Sequence, residues 1–175
     1  MFKSIQRILF CSLFASAFIG HSATSHAQSA KGVGLGVAVG AVSSGTKLEG
    51  LNESVGTGFS WGFFVDIPLA STFYISPATT LYQLDLGLGK RPATDVALNF
   101  KFIVPLSNVK LGAGISAGLT VAEETNMPHV GALGYFSMNL IENLDAFGMV
   151  QYKHLIRDVQ AVDDVHAHTG LMFRF

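Results

Sequence analysis

Four histidines carry most of the chemistry this sequence offers: His129, His154, His166 and His168. Five carboxylates lie near them, Glu123, Glu124, Asp158, Asp163 and Asp164. Neutral imidazoles beside carboxylates form a ligand set for a divalent transition metal. Two-residue parity puts His129, His166 and His168 on one strand face, as candidate metal ligands, and His154 on the other. The competing reading is a polar rim at a water interface. Ser43, Ser44 and Ser54 are possible nucleophiles, but a serine needs a base within hydrogen-bond reach, and no local motif supplies one. The run Gly32-Val33-Gly34-Leu35-Gly36 looks like a phosphate loop, yet no helical pattern follows it. Small residues on one face of a strand explain it better. No catalytic residue and no cofactor is assigned.

These residues need a scaffold, and composition limits which one. Of 175 residues 49% are hydrophobic and 13% charged, about half the usual charged share. Mean hydropathy is +0.42, yet no apolar run reaches the 18 or so residues of a spanning helix. A hydrophobic chain without such a helix, rich in Gly (19) and Phe (14), points to a membrane β-barrel. The start reads as an export signal over residues 1–27. Lys3 and Arg7 precede the apolar run Ile8 to Gly20, and Ser25-His26-Ala27 offers a cleavage site. Cleavage would remove His21, His26 and Cys11, the only cysteine, and would move the net charge from −1 to −3. Residues 28–175 would form the barrel. Nothing here favours nucleic acid.

Alternation then divides the chain into eight strands. They run Gly32 to Ser43, Thr57 to Ile67, Phe73 to about Gly87, Val96 to Val104, Val109 to Val121, Val130 to Leu140, Ala146 to Lys153, and Asp164 to Phe175. Pro77 predicts a bulge or an exposed edge in the third. Short turns are expected near Pro68, Pro105 and Ile141. Polar loops are expected near Lys47, at Leu88 to Thr94, at Ala122 to Pro128 and at Arg157 to Asp163. Short turns alternating with longer loops form the pattern of an outer-membrane barrel, with the turns periplasmic. The four histidines then fall at the external ends of the last three strands.

One face of each strand is apolar, as in Phe59, Trp61, Phe63, Val65 and Ile67. The other is mostly Gly, Ala and Ser with few charges, which makes a poor solvent face but suits a narrow interior. Asp66, Asp95, Lys101, Lys110, Lys153 and Arg174 are the predicted internal charges. They must pair there, since a buried unpaired charge costs several kcal/mol. Inward Phe64, Tyr135, Met149 and Met172 would fill the rest.

The last strand ends Leu171-Met172-Phe173-Arg174-Phe175. This ending resembles the C-terminal strand of bacterial outer-membrane barrels, in which the assembly machinery reads a final Phe; Phe173 and Phe175 would carry that signal. Over Gln28 to Phe175 the chain resembles the small eight-stranded superfamily that includes the X-type and W-type outer-membrane proteins and the A-type barrel. The resemblance implies an all-β, up-and-down antiparallel transmembrane barrel in contact with lipid and lipopolysaccharide. A structural or surface-interaction role follows, with a narrow conduit for small hydrophobic molecules as the alternative that the W-type resemblance implies. Lipid A deacylases of similar size use a His-x-Ser pair, whereas this chain has His166-Ala167-His168-Thr169. The palmitoyltransferases of the same membrane use His, Asp and Ser.

Overall fold

The computed structural model describes residues 32–46, 54–85, 90–122, 125–156 and 162–175. They form eight strands: β1 (Gly34–Thr46), β2 (Ser54–Pro68), β3 (Phe73–Asp85), β4 (Lys90–Leu106), β5 (Val109–Ala122), β6 (Thr125–Ile141), β7 (Leu144–Leu155) and β8 (Val162–Arg174). Each pairs antiparallel with its neighbours, and β8 closes on β1. Residues 1–31, which include the expected export signal, lie outside the described residues.

The register fixes the barrel's shape. Gly36 pairs with Phe64, and the path continues through Ala78, Ala97, Gly118, His129, Leu155 and Val162 to return to β1 at Thr46. The return point lies ten residues from the start, and such a stagger tilts the strands by roughly 35–45°. From Phe59 on β2 to Leu69, just past its end, the outward positions are apolar. Ten residues of tilted strand give a band about 25 Å high, the height of the lipid-facing belt of a transmembrane barrel. Val96 to Leu106 on β4, Val130 to Leu140 on β6, and Val165 on β8 to Phe175 just after it span the same distance, with the named ends exposed.

The faces fall as parity requires. Leu35, Val37 and Val39 are exposed while Ala38 is buried, and Phe173 and Phe175 are exposed around buried Arg174. Gly32 has a φ of 135°. A Cβ there would collide with the carbonyl oxygen of Phe175, so a glycine suits the point where the two ends of the described barrel meet.

Four expectations need correction. Lys90–Thr94 is not loop but the start of β4, and β6 begins at Thr125, with Pro128 inside it. Asp163, expected in the last loop, belongs to β8, which starts at Val162. Pairing energy extends these strands beyond the belt, where alternation in hydrophobicity no longer marks them. Pro77 makes neither a bulge nor an edge. The β2–β3 ladder lapses beside it: Phe64 pairs with Ala78 and Ile67 with Ile75, with no pair between, and the register resumes unshifted. Closure leaves no free edge for a proline to occupy.

Candidate functional site

The interior is the site to consider, because the strands aim nearly every described charge of the spanning region into it. At the turn end, Asp66, Lys101, Lys110, Asp145 and Arg174 are all buried. Lys101 Nζ lies 2.6 Å from Asp66 Oδ1, which also accepts a hydrogen bond from Ser76. Lys110 Nζ donates to Asp145 Oδ2 at 3.0 Å, and Arg174 Nε donates to the same oxygen at 2.6 Å. Arg174 Nη2 is 3.6 Å from Asp66 Oδ2, so the guanidinium links the two carboxylates. Lys101 also sits over the Tyr135 ring, 4.4 Å from its centroid.

A second charged layer lies toward the loop end. Lys153 Nζ is 2.5 Å from Asp95 Oδ2, and Asp95 Oδ1 accepts from Thr120 at 3.0 Å. Asp164 accepts from the Tyr82 hydroxyl at 3.2 Å. Between the layers Gln151 donates to Asn99 at 3.1 Å and to Ser116 at 2.8 Å. Apolar side chains take the remaining room. Phe64, Phe147, Met149 and Met172 form one cluster with Tyr74 and Tyr135. Val42, Met127, Leu155 and Val162 form another around Tyr82 at the loop end.

The six charges expected inside, Asp66, Asp95, Lys101, Lys110, Lys153 and Arg174, are all buried there. Sequence reading missed Asp145 and Asp164. Asp145 lies just before the seventh strand as alternation marks it, and Asp164 is the first residue of the eighth, where the pattern has barely begun. Counting parity back from Phe147 and His166 places both inward.

The histidines do not form one centre. His129 Nδ1 is 3.3 Å from Asp95 Oδ1. His166 Nε2 is 3.7 Å from Asp164 Oδ2, and its ring meets Tyr82 edge-on at 4.8 Å. His168 lies deeper than the external rim expected for it, with Nε2 3.0 Å from Ser60 Oγ. His154 is outside, where Asp163 Oδ1 takes bonds from it at 2.8 Å and from the Tyr152 hydroxyl at 2.7 Å. Among the described residues no three His, Cys, Asp or Glu side chains are grouped to hold a metal ion. The Lys153 ammonium against Asp95 further opposes a cation there. Glu123, Glu124 and Asp158 lie outside the described residues.

Ser60 and His168 pair a hydroxyl with a base, but Ser60 is fully buried and His168 Nδ1 has no hydrogen-bond partner to orient it. A substrate has no path to that hydroxyl, so the pair reads as packing rather than a nucleophile. Ser44 is buried opposite Asp164, its cross-strand neighbour.

No family model and no curated protein matches the chain. Solved structures do. Neisserial surface protein A is 15% identical, with a TM-score of 0.58 over 81% of this chain and 97% of that one. The outer membrane protein OprG from Pseudomonas aeruginosa is 13% identical, with a TM-score of 0.54 over 82% of this chain and 96% of that one. The chain thus has the fold of the small eight-stranded outer-membrane barrels.

Proposed function

We propose that this protein is a bacterial outer-membrane barrel with a structural or surface-contact role, and that it neither conducts through its interior nor catalyses a reaction. One observation carries the reading: ion pairs cross the interior from strand to strand. Lys101 of β4 reaches Asp66 of β2, and Lys153 of β7 reaches Asp95 of β4. Phe64, Phe147 and Met172 pack beside them. Opening a water path would separate pairs whose breakage costs about 3–5 kcal/mol each. The name of the Neisserial neighbour, a surface protein, agrees with a contact role.

In this reading the turns face the periplasm and the loop end faces outward, where it meets lipopolysaccharide. Phe173 and Phe175 engage the barrel-assembly machinery. The test is planar-bilayer conductance of the refolded protein, with a heat-modifiable gel shift to verify folding. A folded, silent barrel is expected. Discrete, reproducible channels would overturn the proposal and favour the conduit. Altered lipid A in cells overproducing the protein would instead favour an enzyme.

A further inference from the structure

The turn-end layer carries one positive charge more than it answers. Among the described residues, Lys101, Lys110 and Arg174 face two carboxylates there, Asp66 and Asp145, and all five are buried. Each lysine has a carboxylate of its own, Lys101 with Asp66 at 2.6 Å and Lys110 with Asp145 at 3.0 Å. The third cation is the surplus one, and it is an arginine, which does not shed its proton. Glu142, in the β6–β7 turn, is exposed, so water answers its charge.

Hydrogen bonding is out of balance in the same sense. Arg174 Nη1 and Nη2, the Tyr135 hydroxyl and the Ser137 hydroxyl have no hydrogen-bond partner, and each of these residues is more than nine-tenths buried. Among the described residues of this layer one unpartnered acceptor stands against them, Asp66 Oδ2, which Arg174 Nη2 faces at 3.6 Å. Nη1 and the two hydroxyls have no acceptor left. A bond between the two hydroxyls would still leave one proton over. These groups converge. Tyr135 and Ser137 are successive inward positions of β6, and Ser137 is the cross-strand partner of Lys110. Tyr135 lies within electrostatic reach of Arg174 and Asp66, and Lys101 sits 4.4 Å from its ring centroid.

We propose that this layer binds one small monovalent anion, of the size of chloride, between Arg174, Tyr135 and Ser137. Such an ion brings acceptor capacity and one negative charge, the two things the layer lacks. Water brings only the first and leaves the surplus charge buried. A divalent oxyanion would overshoot the charge, and Tyr74, Phe147 and Met172, packed in one cluster with Tyr135, favour the smaller ion. Lys110 and Arg174 keep a slight exposure at the turn end, which gives an ion from solution its way in. The loop-end layer has no such surplus, since Lys153 meets two carboxylates there, Asp95 and Asp164.

The experiment unfolds the refolded full chain in vesicles with urea at fixed ionic strength, while sodium chloride replaces sodium gluconate stepwise. Once the site fills, each tenfold rise in chloride should raise the folded-to-unfolded ratio about tenfold. Tyr135→Phe combined with Ser137→Ala removes both hydroxyls and keeps the rings packed. With its folding verified by the heat-modifiable gel shift, it should need at least about tenfold more chloride for the same response. Ser137→Ala alone, the milder change, should shift the same way by less. His166→Phe, in the loop-end layer, should respond as the unaltered chain does. Crystals grown in sodium bromide should show anomalous scattering beside Arg174. A folded-to-unfolded ratio that ignores chloride would overturn the proposal and assign the place to water. So would a response equal in the unaltered chain and the double variant, since the ion then acts elsewhere. Bromide in the crystal without a chloride response in solution would mean an adventitious ion only, and would overturn it likewise.

Discussion

The two charged layers inside the barrel are built on different terms. At the turn end, three cations and two carboxylates interlock, and Asp145 Oδ2 serves both Lys110 and Arg174. At the loop end one cation, Lys153, meets Asp95, while Asp164 leans on hydroxyls and imidazoles. Neither ring nitrogen of His129 or His166 has a hydrogen-bond partner. The first layer is held by charge pairing, and the second by one ion pair amid packed, polarisable rings. Removing a partner should therefore hurt the first layer more, and replacing a ring by an apolar group should help only the second.

The largest effect is expected for Asp145→Ala. It strands buried Lys110 and leaves Arg174 only its 3.6 Å contact with Asp66, and breaking a buried pair from one side costs about 3–5 kcal/mol. Urea unfolding of the refolded barrel in vesicles measures this. A loss under 1 kcal/mol would mean that water already relieves Lys110 and Arg174. Lys153→Met should cost less, about 2–3 kcal/mol, because Asp95 keeps its hydrogen bond from Thr120 and its contact with His129. A cost equal to that of Asp145→Ala would erase the distinction between the layers. His166→Phe should be neutral or stabilise by up to about 1 kcal/mol, since it removes two unpartnered polar atoms and keeps a ring against Tyr82. A clear destabilisation in the same assay would show that His166 holds a hydrogen bond through water.

The sequence disclosed the barrel more fully than it disclosed this contrast. Alternation marks lipid-facing from inward residues because the two surroundings differ sharply in polarity, and so Val37 and Ala38, or Phe173 and Arg174, could be told apart by parity alone. Beyond the belt both faces meet polar surroundings. The signal fades there, and Lys90–Thr94 and Thr125–Pro128 read as loop although they are strand. That the charged residues point inward was legible, but which of them pair was not. Lys101 and Asp66 are 35 residues apart in the chain and on strands that do not adjoin, so their meeting depends on stagger and on closure across the interior. His168 was misplaced for the same reason: its height depends on the register with β1 and β7, where it sits opposite Gly40 and Met149.

The smallest expected effect separates the filled inside from the open outside at the level of one methyl group. An added Cβ at Gly36 would come within 3.0 Å of Met172 Cε and 3.2 Å of Phe147 Cε1, both inside the barrel. At Gly134, on the outer face, it would meet nothing within 4 Å. Gly36→Ala asks two buried side chains to yield, and overpacking of this kind costs about 1–3 kcal/mol, nearer the lower figure for one methyl. Gly134→Ala adds surface in contact with lipid and restricts the unfolded chain, so it should be neutral or gain up to about 1 kcal/mol. Only the difference between the two bears on the argument, because both replace glycine by alanine in a strand. Equal values in parallel urea titrations would mean that Met172 and Phe147 have room to move, and that the interior is looser than its ion pairs imply.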